Sequence, residues 1–176
     1  MQYKTIEFGL KDGVGTIQLN RPEKHNAFND VMISDIIKCY ESINDMEDVR
    51  VAVLEGRGKS FCAGADLNYM KNVVGYDDTY EDSLRLAKCF NAIYACKKPT
   101  IAKVHGAVIG GGNGLVATCD LVFCDDDTKF SLSEVKRGLV PAVISPYVLK
   151  RIGEYATREL MLTGRRFDGK KQNNMD

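Results

Sequence analysis

Hydrophobic positions along this chain follow two different periods, which predicts a mixture of strands and helices. Short apolar or alternating runs, bounded by glycine, proline and polar residues, are typical of strands. The predicted strands are residues 3–10, 14–19, 51–54, 100–104 and 121–124. A turn at residues 11–13 joins the first two strands, which therefore form a hairpin.

Between these runs, apolar residues recur with the helical spacing of three and four. One stripe follows Asn29, and a second runs to about Cys96. The residues of the two stripes are Ile33, Ile36, Ile37, Tyr40 and Ile43, then Leu86, Phe90 and Ile93. A further helix is expected to start at Ser145-Pro146, as an N-cap followed by proline at the first helical position. Gly153 is expected to end that helix, and Gly164 the next one.

Strands that alternate with helices favour an α/β fold with parallel strands. A length of 176 residues is consistent with one domain. We assign that domain to residues 1–168. The polar, unpatterned residues 169–176 are predicted to be a disordered tail. The sequence has no evident internal repeat.

Charge and cysteine content narrow the functional classes. Lys plus Arg and Asp plus Glu both number 24, so the net charge is zero and no general attraction to nucleic acid or to an anionic membrane is expected. The start of the chain has no apolar signal region, and no apolar run reaches transmembrane length. Six cysteines, mostly in apolar stretches, indicate reduced, buried thiols and a cytoplasmic protein. Two histidines make a multi-histidine metal site unexpected.

Three segments could carry chemistry. Residues 60–67 follow a buried strand, and Gly64 permits a tight turn that leaves backbone amides free. The glycine run 110–114 precedes a predicted helix, where unpaired N–H groups and the positive end of the helix dipole favour an oxygen ligand. Amides that converge from two such turns form an oxyanion hole. Glu134 lies in an apolar stretch, and desolvation raises a carboxyl pKa towards the range useful for proton transfer.

Each segment also has a purely structural interpretation. Residues 60–66 could be only a tight turn, the glycine run could serve close packing, and Glu134 could be an ordinary surface or ion-paired residue. Residues 112–117 also fit the G-x-G-x-x-A variant of a dinucleotide loop, although the predicted strand ends too early, at Val104. His105 is interpreted as a satisfied core histidine, and Cys62 as a packing residue rather than a nucleophile.

Together, in order and spacing, the segments resemble the enoyl-CoA hydratase/isomerase, or crotonase, family. The matching residues are 19–22, 26–27, 60–66, 98–102, 105–106, 110–112, 119–120, Phe130 and Glu134. The resemblance extends from the first strand to about Asp168. It implies a spiral of repeated ββα units, usually assembled as a homotrimer or a dimer of trimers, that acts on an acyl-CoA thioester.

The resemblance also implies roles for single residues. The backbone N–H groups of Ala65 and Gly111 would hold the thioester oxygen, and Glu134 would be the acid/base. Residues 65–68 would line the acyl-CoA, and residues 24–27 would lie near its adenine end. The full set of expected substrate-binding residues is Lys24, Asn26, Ala27, Ala63, Gly64, Ala65, Asp66, Leu67, Asn68, Gly110, Gly111 and Gly114. No metal or separate cofactor is expected, because CoA enters as part of the substrate.

Two departures from the family pattern bear on function. Many family hydratases use two glutamates around one water, and the position of the first is here Gly114. The chain also ends soon after Asp168, where family members continue with further helices, so we expect a largely missing C-terminal helical part and an exposed apolar face.

Residues 130–147 resemble a bacterial subgroup, usually assigned as methylglutaconyl-CoA hydratases, that also carries this glycine. A hydratase of leucine or fatty-acid breakdown is therefore favoured. An isomerase with Glu134 as proton shuttle, or an inactive acyl-CoA binder, are the alternatives. A hydrolase is disfavoured, because the related hydrolases place an aspartate where this chain has Ala142. An RNA-binding role is disfavoured as well, because the sequence has no clear basic-aromatic patch.

Overall fold

The computed structural model describes residues 2–172, which form two sheets and a set of surrounding helices. The strands are β1 (Ile6–Lys11), β2 (Val14–Leu19), β3 (Val51–Gly56), β4 (Thr100–Val104), β5 (Ala107–Ile109), β6 (Leu121–Cys124), β7 (Lys129–Ser131) and β8 (Phe167–Asp168). The helices are α1 (Asp30–Asp45), α2 (Leu67–Met70), α3 (Tyr76–Tyr94), α4 (Gly112–Ala117), α5 (Ser145–Thr163) and α6 (Gly169–Gln172). Short 3₁₀ turns cover Pro22–Lys24 and Glu134–Arg137.

The larger sheet has the order β1-β2-β3-β4-β6, and the smaller one has the order β5-β7-β8. The hairpin β1–β2 is antiparallel, as the sequence predicts, and β2, β3, β4 and β6 run parallel to one another. In the smaller sheet β5 and β7 are parallel. The expected α/β fold with parallel strands is confirmed.

The two sheets are linked by a repeated path of strand, strand and helix. After β4 the chain enters the smaller sheet as β5 and returns to the larger sheet through α4. After β6 it enters the smaller sheet again as β7 and then forms α5, which leads to β8 of the same smaller sheet. The passage from β3 to α3 has the same form, with the second strand reduced to one parallel bridge between Cys62 and Val108. This is the spiral of ββα units that the sequence resemblance implies, although the repeat is invisible in the sequence itself.

The core forms where helices cover the larger sheet. Side chains alternate along β2, so Ile17 and Leu19 are fully buried. Helix α1 buries the predicted stripe, including Ile36, Tyr40 and Ile43. Its N-cap is Asn29, whose side-chain oxygen accepts a hydrogen bond from Met32 N. The periodicity of α1 and its start are therefore confirmed.

The region around α5 differs in one detail from the prediction. Ile144 is the N-cap, and Ser145 is already helical, with its hydroxyl donating to Pro141 O at 2.7 Å. The hydroxyl therefore serves the preceding turn instead of capping the helix. Gly153 interrupts the helix with φ 75°, and Gly164 ends it with φ 55°. Both glycines act where predicted, because the left-handed conformation is strained for other residues.

Three short strands and two short helices, α2 and α6, were not predicted. Strands β5, β7 and β8 have only two or three residues each, too few for a detectable period. Gly169–Gln172 forms the single turn α6, so the predicted disordered tail does not begin at residue 169. Residues 173–176 of that tail lie outside the described part of the chain.

Apolar side chains are exposed at one edge of the larger sheet. There β6 has no partner on one side within residues 2–172, and Leu121 and Phe123 are 54% and 61% exposed. An exposed apolar face was expected from the sequence. Of the helices described, none is both long and apolar enough to cross a lipid bilayer.

Candidate functional site

The centre of the candidate site is the glycine turn between β5 and α4. Gly110 adopts φ 54°, and its N–H donates to Ser131 O at 2.8 Å, which continues the pairing of β5 with β7. The chain then enters α4 at Gly112. The amide of Gly111 therefore lies between a strand end and a helix start, where N–H groups commonly lack partners.

Each glycine of this turn lies so close to a different neighbour that a side chain would not fit without displacing it. A Cβ on Gly110 would lie 3.2 Å from Glu134 Oε1, and one on Gly111 would lie 2.6 Å from the Phe28 ring. A Cβ on Gly112 would lie 2.6 Å from Cys62 O. Close packing is thus one purpose of the run, and it brings the turn against Glu134 and against the segment of Cys62.

A second turn, at Gly64, lies directly against the first. Gly64 has φ 85°, and a Cβ there would lie 2.6 Å from Ile109 O and 3.5 Å from Gly111 N. Phe28 pairs with this segment by donating to Gly64 O and accepting from Asp66 N. That pairing does not use the N–H of Ala65. Among the residues described, neither Ala65 N nor Gly111 N donates a backbone hydrogen bond.

Glu134 starts the 3₁₀ turn that follows β7, and its carboxylate faces Gly110. Its Oε2 is buried and receives no hydrogen bond within the described part of the chain. Desolvation raises the pKa of Glu134, against the smaller opposing effects of its own backbone amide and of Arg137. A carboxyl with a raised pKa and a free oxygen is suited to exchange protons with a ligand.

These elements enclose a cleft with about 420 Å³ of space, part of it open to solvent. Its lining combines both amide-bearing turns with the carboxylate. The residues are Ala63, Gly64, Ala65, Met70, Ile109, Gly110, Gly111, Ser133, Glu134, Arg137 and Leu139. The structure therefore brings together all three segments singled out in the sequence.

A second groove adjoins the cleft and shares Ala63, Ala65 and Arg137 with it. Its other lining residues are Glu23, Lys24, His25, Ala27, Asp66, Leu67 and Asn68. Most residues expected to bind the CoA part of a ligand thus lie in one continuous depression.

Asp66 has a structural role in this groove. Its Oδ2 accepts from Arg21 at 3.0 Å, and its Oδ1 caps α2 by accepting from Asn68 N at 3.0 Å. Burial acts to raise the pKa of Asp66, but the hydrogen bonds from Arg21 and from backbone amides outweigh it, and the pKa is lowered. The carboxylate is therefore held ionised by protein groups.

Asn26, which we expected to bind substrate, is fully buried and lines neither cleft. Its side chain accepts from Arg21 N and donates to Arg57 O and Ser60 O, at 2.8–2.9 Å. All its side-chain groups are used inside the protein, so it braces the loop before Cys62.

Gly114, also expected at the substrate, lies inside buried α4 and lines neither cleft. A Cβ there would lie 2.4 Å from Ile144 Cγ2 and 2.7 Å from the Phe90 ring. The space that a glutamate would need at this position is occupied by apolar side chains.

Asn113 is a residue of the site that the sequence analysis missed. Its buried side-chain nitrogen donates to Gly110 O at 2.9 Å and to Ser131 O at 3.0 Å, and it also reaches Val108 O at 3.4 Å. It ties the glycine turn to the end of β7, from which Glu134 follows. A single asparagine in an apolar helix gives no distinctive signal beyond its polarity.

Other candidate residues take no direct part in the cleft. Cys62 is buried with its Sγ 3.2 Å from Asn26 O, and burial raises the pKa of this thiol to about 12, as expected for a packing residue. His105 is satisfied by Gly58 O at 2.8 Å but is partly exposed, so it is not a core residue.

The G-x-G-x-x-A match at 112–117 forms the buried helix α4 itself, not a loop ahead of a helix. The argument that the strand ends too early, at Val104, is wrong, because a further strand, β5, leads into the glycine run. No cluster of three or more His, Cys, Asp or Glu side chains placed to bind a metal occurs in the described part of the chain.

Comparison with known proteins identifies the family. The sequence profile of the enoyl-CoA hydratase/isomerase family matches residues 9–175. An Alternaria alternata protein named enoyl-CoA hydratase AKT6-1 is 38% identical over 88% of this chain and 50% of its own. An Arabidopsis thaliana peroxisomal Delta(3,5)-Delta(2,4)-dienoyl-CoA isomerase is 35% identical over 95% of this chain and 66% of its own.

The crystal structure of an enoyl-CoA hydratase from Shewanella pealeana superposes with a TM-score of 0.96 and 40% identity, over 99% of this chain and 66% of that one. The chain belongs to the enoyl-CoA hydratase/isomerase family, and its fold is the crotonase fold. It spans about half to two thirds of the length of the relatives it matches.

The packing at Gly114 gives a stability prediction. Gly114→Ala should destabilise the protein by about 1–3 kcal/mol, because the new methyl group overlaps Ile144 and Phe90. Helix propensity alone would favour alanine by about 1 kcal/mol. A net loss in the free energy of unfolding would therefore be due to the steric overlap. Urea unfolding would measure it, with Gly9→Ala as control because nothing lies within 4 Å of a Cβ there. Equal stability of both variants would contradict this packing.

The environment of Glu134 gives a prediction for stability against pH. Since the folded state holds the Glu134 proton more tightly than the unfolded state, the contribution of this residue to stability falls as pH rises from the usual carboxyl pKa through the raised folded value. Glu134→Gln should therefore raise the Tm at pH 7.5, with a gain that shrinks towards pH 4. Exposed Glu47→Gln is the control. A gain independent of pH would refute the buried-carboxylate assignment.

Proposed function

We propose that this chain carries the reaction centre of an enoyl-CoA hydratase, which adds water across the double bond of a 2-enoyl-CoA thioester. The observation that carries the proposal is the buried Oε2 of Glu134, which has no hydrogen-bond partner within residues 2–172 and lies beside a turn whose Gly111 N–H donates to no backbone carbonyl there. The amides of Ala65 and Gly111 come from adjacent turns, and the Glu134 carboxylate lies over Gly110. This is the combination that proton transfer next to a thioester carbonyl requires.

In the proposed reaction the thioester oxygen accepts hydrogen bonds from Ala65 N and Gly111 N. Glu134 takes a proton from water while the water oxygen bonds to C3, and the electron pair of the double bond moves towards the thioester oxygen. The two amides stabilise the resulting enolate. Glu134 then returns its proton to C2, so the carboxylate is regenerated and one molecule of water has been added.

An enoyl-CoA isomerase is the second candidate, and the surroundings of Gly114 favour it. Proton transfer from C2 to C4 needs one carboxylate and no activated water. Because Phe90 and Ile144 fill the space at Gly114, Glu134 has no carboxylate partner from that position. Relatives named as dienoyl-CoA isomerases occur beside those named as hydratases.

A non-catalytic acyl-CoA-binding protein is the third candidate. It would retain the groove along Lys24, Leu67 and Asn68 but would show no turnover that depends on Glu134. The proposal further places the protein in leucine or fatty-acid breakdown in the cytoplasm, as a homotrimer or dimer of trimers, and without a separate metal or cofactor. The six free cysteines agree with a reducing compartment.

The hydratase proposal is tested by mixing the protein with crotonyl-CoA or 3-methylglutaconyl-CoA. Hydration would be measured as loss of the absorbance of the conjugated enoyl thioester. Glu134→Gln should reduce turnover by about 10²-fold or more, since it removes the acid/base, and should leave the dissociation constant for butyryl-CoA nearly unchanged. Wild-type rates in Glu134→Gln would refute the assigned base. If the wild-type protein binds butyryl-CoA but hydrates neither substrate, the isomerase is tested next with a 3-enoyl-CoA. If that assay also shows no turnover, the result favours the non-catalytic acyl-CoA-binding protein.

The oxyanion proposal is tested by removing one N–H. Ala65→Pro deletes a donor that the pairing with Phe28 does not use, so the rate should fall by about 10²-fold or more while the fold is retained. Ala65→Gly keeps the N–H and should stay near the wild-type rate. Circular dichroism confirms folding. Similar rates for a folded proline variant and the glycine variant would rule out a role for this amide.

A further inference from the structure

Arg137 is a cation at the junction of the two clefts and forms no ion pair with a carboxylate within residues 2–172. It lines both the cleft of Glu134 and the groove of Lys24. The ion pairs of the described chain engage Arg21, Arg57, Arg85, Lys103, Arg165 and Lys170, but not Arg137. A guanidinium that faces a cleft without a protein partner remains available for a ligand.

The 3₁₀ turn fixes the side on which this cation lies. In a 3₁₀ helix residues i and i+3 are eclipsed, so Glu134 and Arg137 project to the same side. Their nearness is also seen in the electrostatic effect of Arg137, which acts to lower the pKa of Glu134. Gly138, with φ 69°, ends the turn directly after Arg137 and holds the backbone in this register.

The other charges of the depression leave it open to an anion. Asp66 is already neutralised by Arg21 at 3.0 Å. Lys24 forms no ion pair in the described chain, and Glu23 is the remaining acidic residue of the groove. Glu134 is deeper and desolvated, which disfavours its charged form. The junction therefore presents unpaired positive charge to whatever enters the cleft.

We propose that Arg137 is a ligand-binding residue that holds an anionic oxygen group of the thioester ligand through paired N–H donors. The group is either a carboxylate on the acyl chain or a phosphate of the CoA part, since Arg137 borders the spaces for both. This inference rests on the proposed function for the identity of the ligand. Bidentate guanidinium recognition suits both carboxylate and phosphate.

Equilibrium binding of three ligands that cannot be hydrated tests the proposal independently of turnover. Calorimetry on wild type and Arg137→Gln would use glutaryl-CoA, whose acyl chain ends in a carboxylate, then butyryl-CoA and free CoA. A loss of about tenfold or more is expected, the size associated with a charged hydrogen bond. Selective loss for glutaryl-CoA assigns the carboxylate, and equal loss for all three assigns a phosphate.

Lys136→Gln is the matched control, because it removes the same charge from the neighbouring exposed residue, which lines neither cleft. It should bind all three ligands as wild type does. The proposal would be overturned by unchanged binding in Arg137→Gln or by an equal loss in both variants. It would also be overturned if Arg137→Gln weakened binding of both esters equally and left binding of free CoA unchanged. If wild type bound these ligands but hydrated nothing, the proposed function would fail while this inference stood.

Discussion

The close approach of two backbone turns, at Gly64 and at Gly110–Gly112, is the constraint on which the rest of the site depends. A side chain at Gly64 would meet Ile109 O at 2.6 Å, and side chains at Gly111 and Gly112 would meet Phe28 and Cys62 at the same distance. Only glycine allows this contact, because it has no Cβ and tolerates the positive φ found at Gly64 and Gly110. The contact brings together the turns that carry Ala65 N and Gly111 N, and within residues 2–172 neither amide donates to a backbone carbonyl.

Rigid supports surround this contact. Asn113 ties the glycine turn to the end of β7, and Asn26 braces the loop before Cys62, each with buried hydrogen bonds. Glu134 is the exception, since its Oε2 has no partner within residues 2–172. Buried polar atoms are usually satisfied, so this oxygen supports the proposal that a ligand occupies the cleft.

The sequence predicted much of the fold because long elements carry a clear period, as in α1 and β2, and because glycines mark the ends of helices. It missed β5, β7 and β8, whose two or three residues show no period and which form only by pairing with one another. The structure brings the predicted site segments together, whereas Asn26 and Gly114 line neither cleft, since burial depends on tertiary packing. Motif spacing identifies a segment but does not determine where each side chain points.

Exchange of the C2 protons of butyryl-CoA in D₂O, followed by NMR, tests the central claim most directly, because it needs only the proton transfer and the oxyanion contacts. The account predicts exchange catalysed by the wild-type protein, strongly reduced in Glu134→Gln, where the base is lost, and in Ala65→Pro, where one amide is lost. Exchange that persists at the wild-type rate in Glu134→Gln, or wild-type exchange no faster than in buffer, would contradict it.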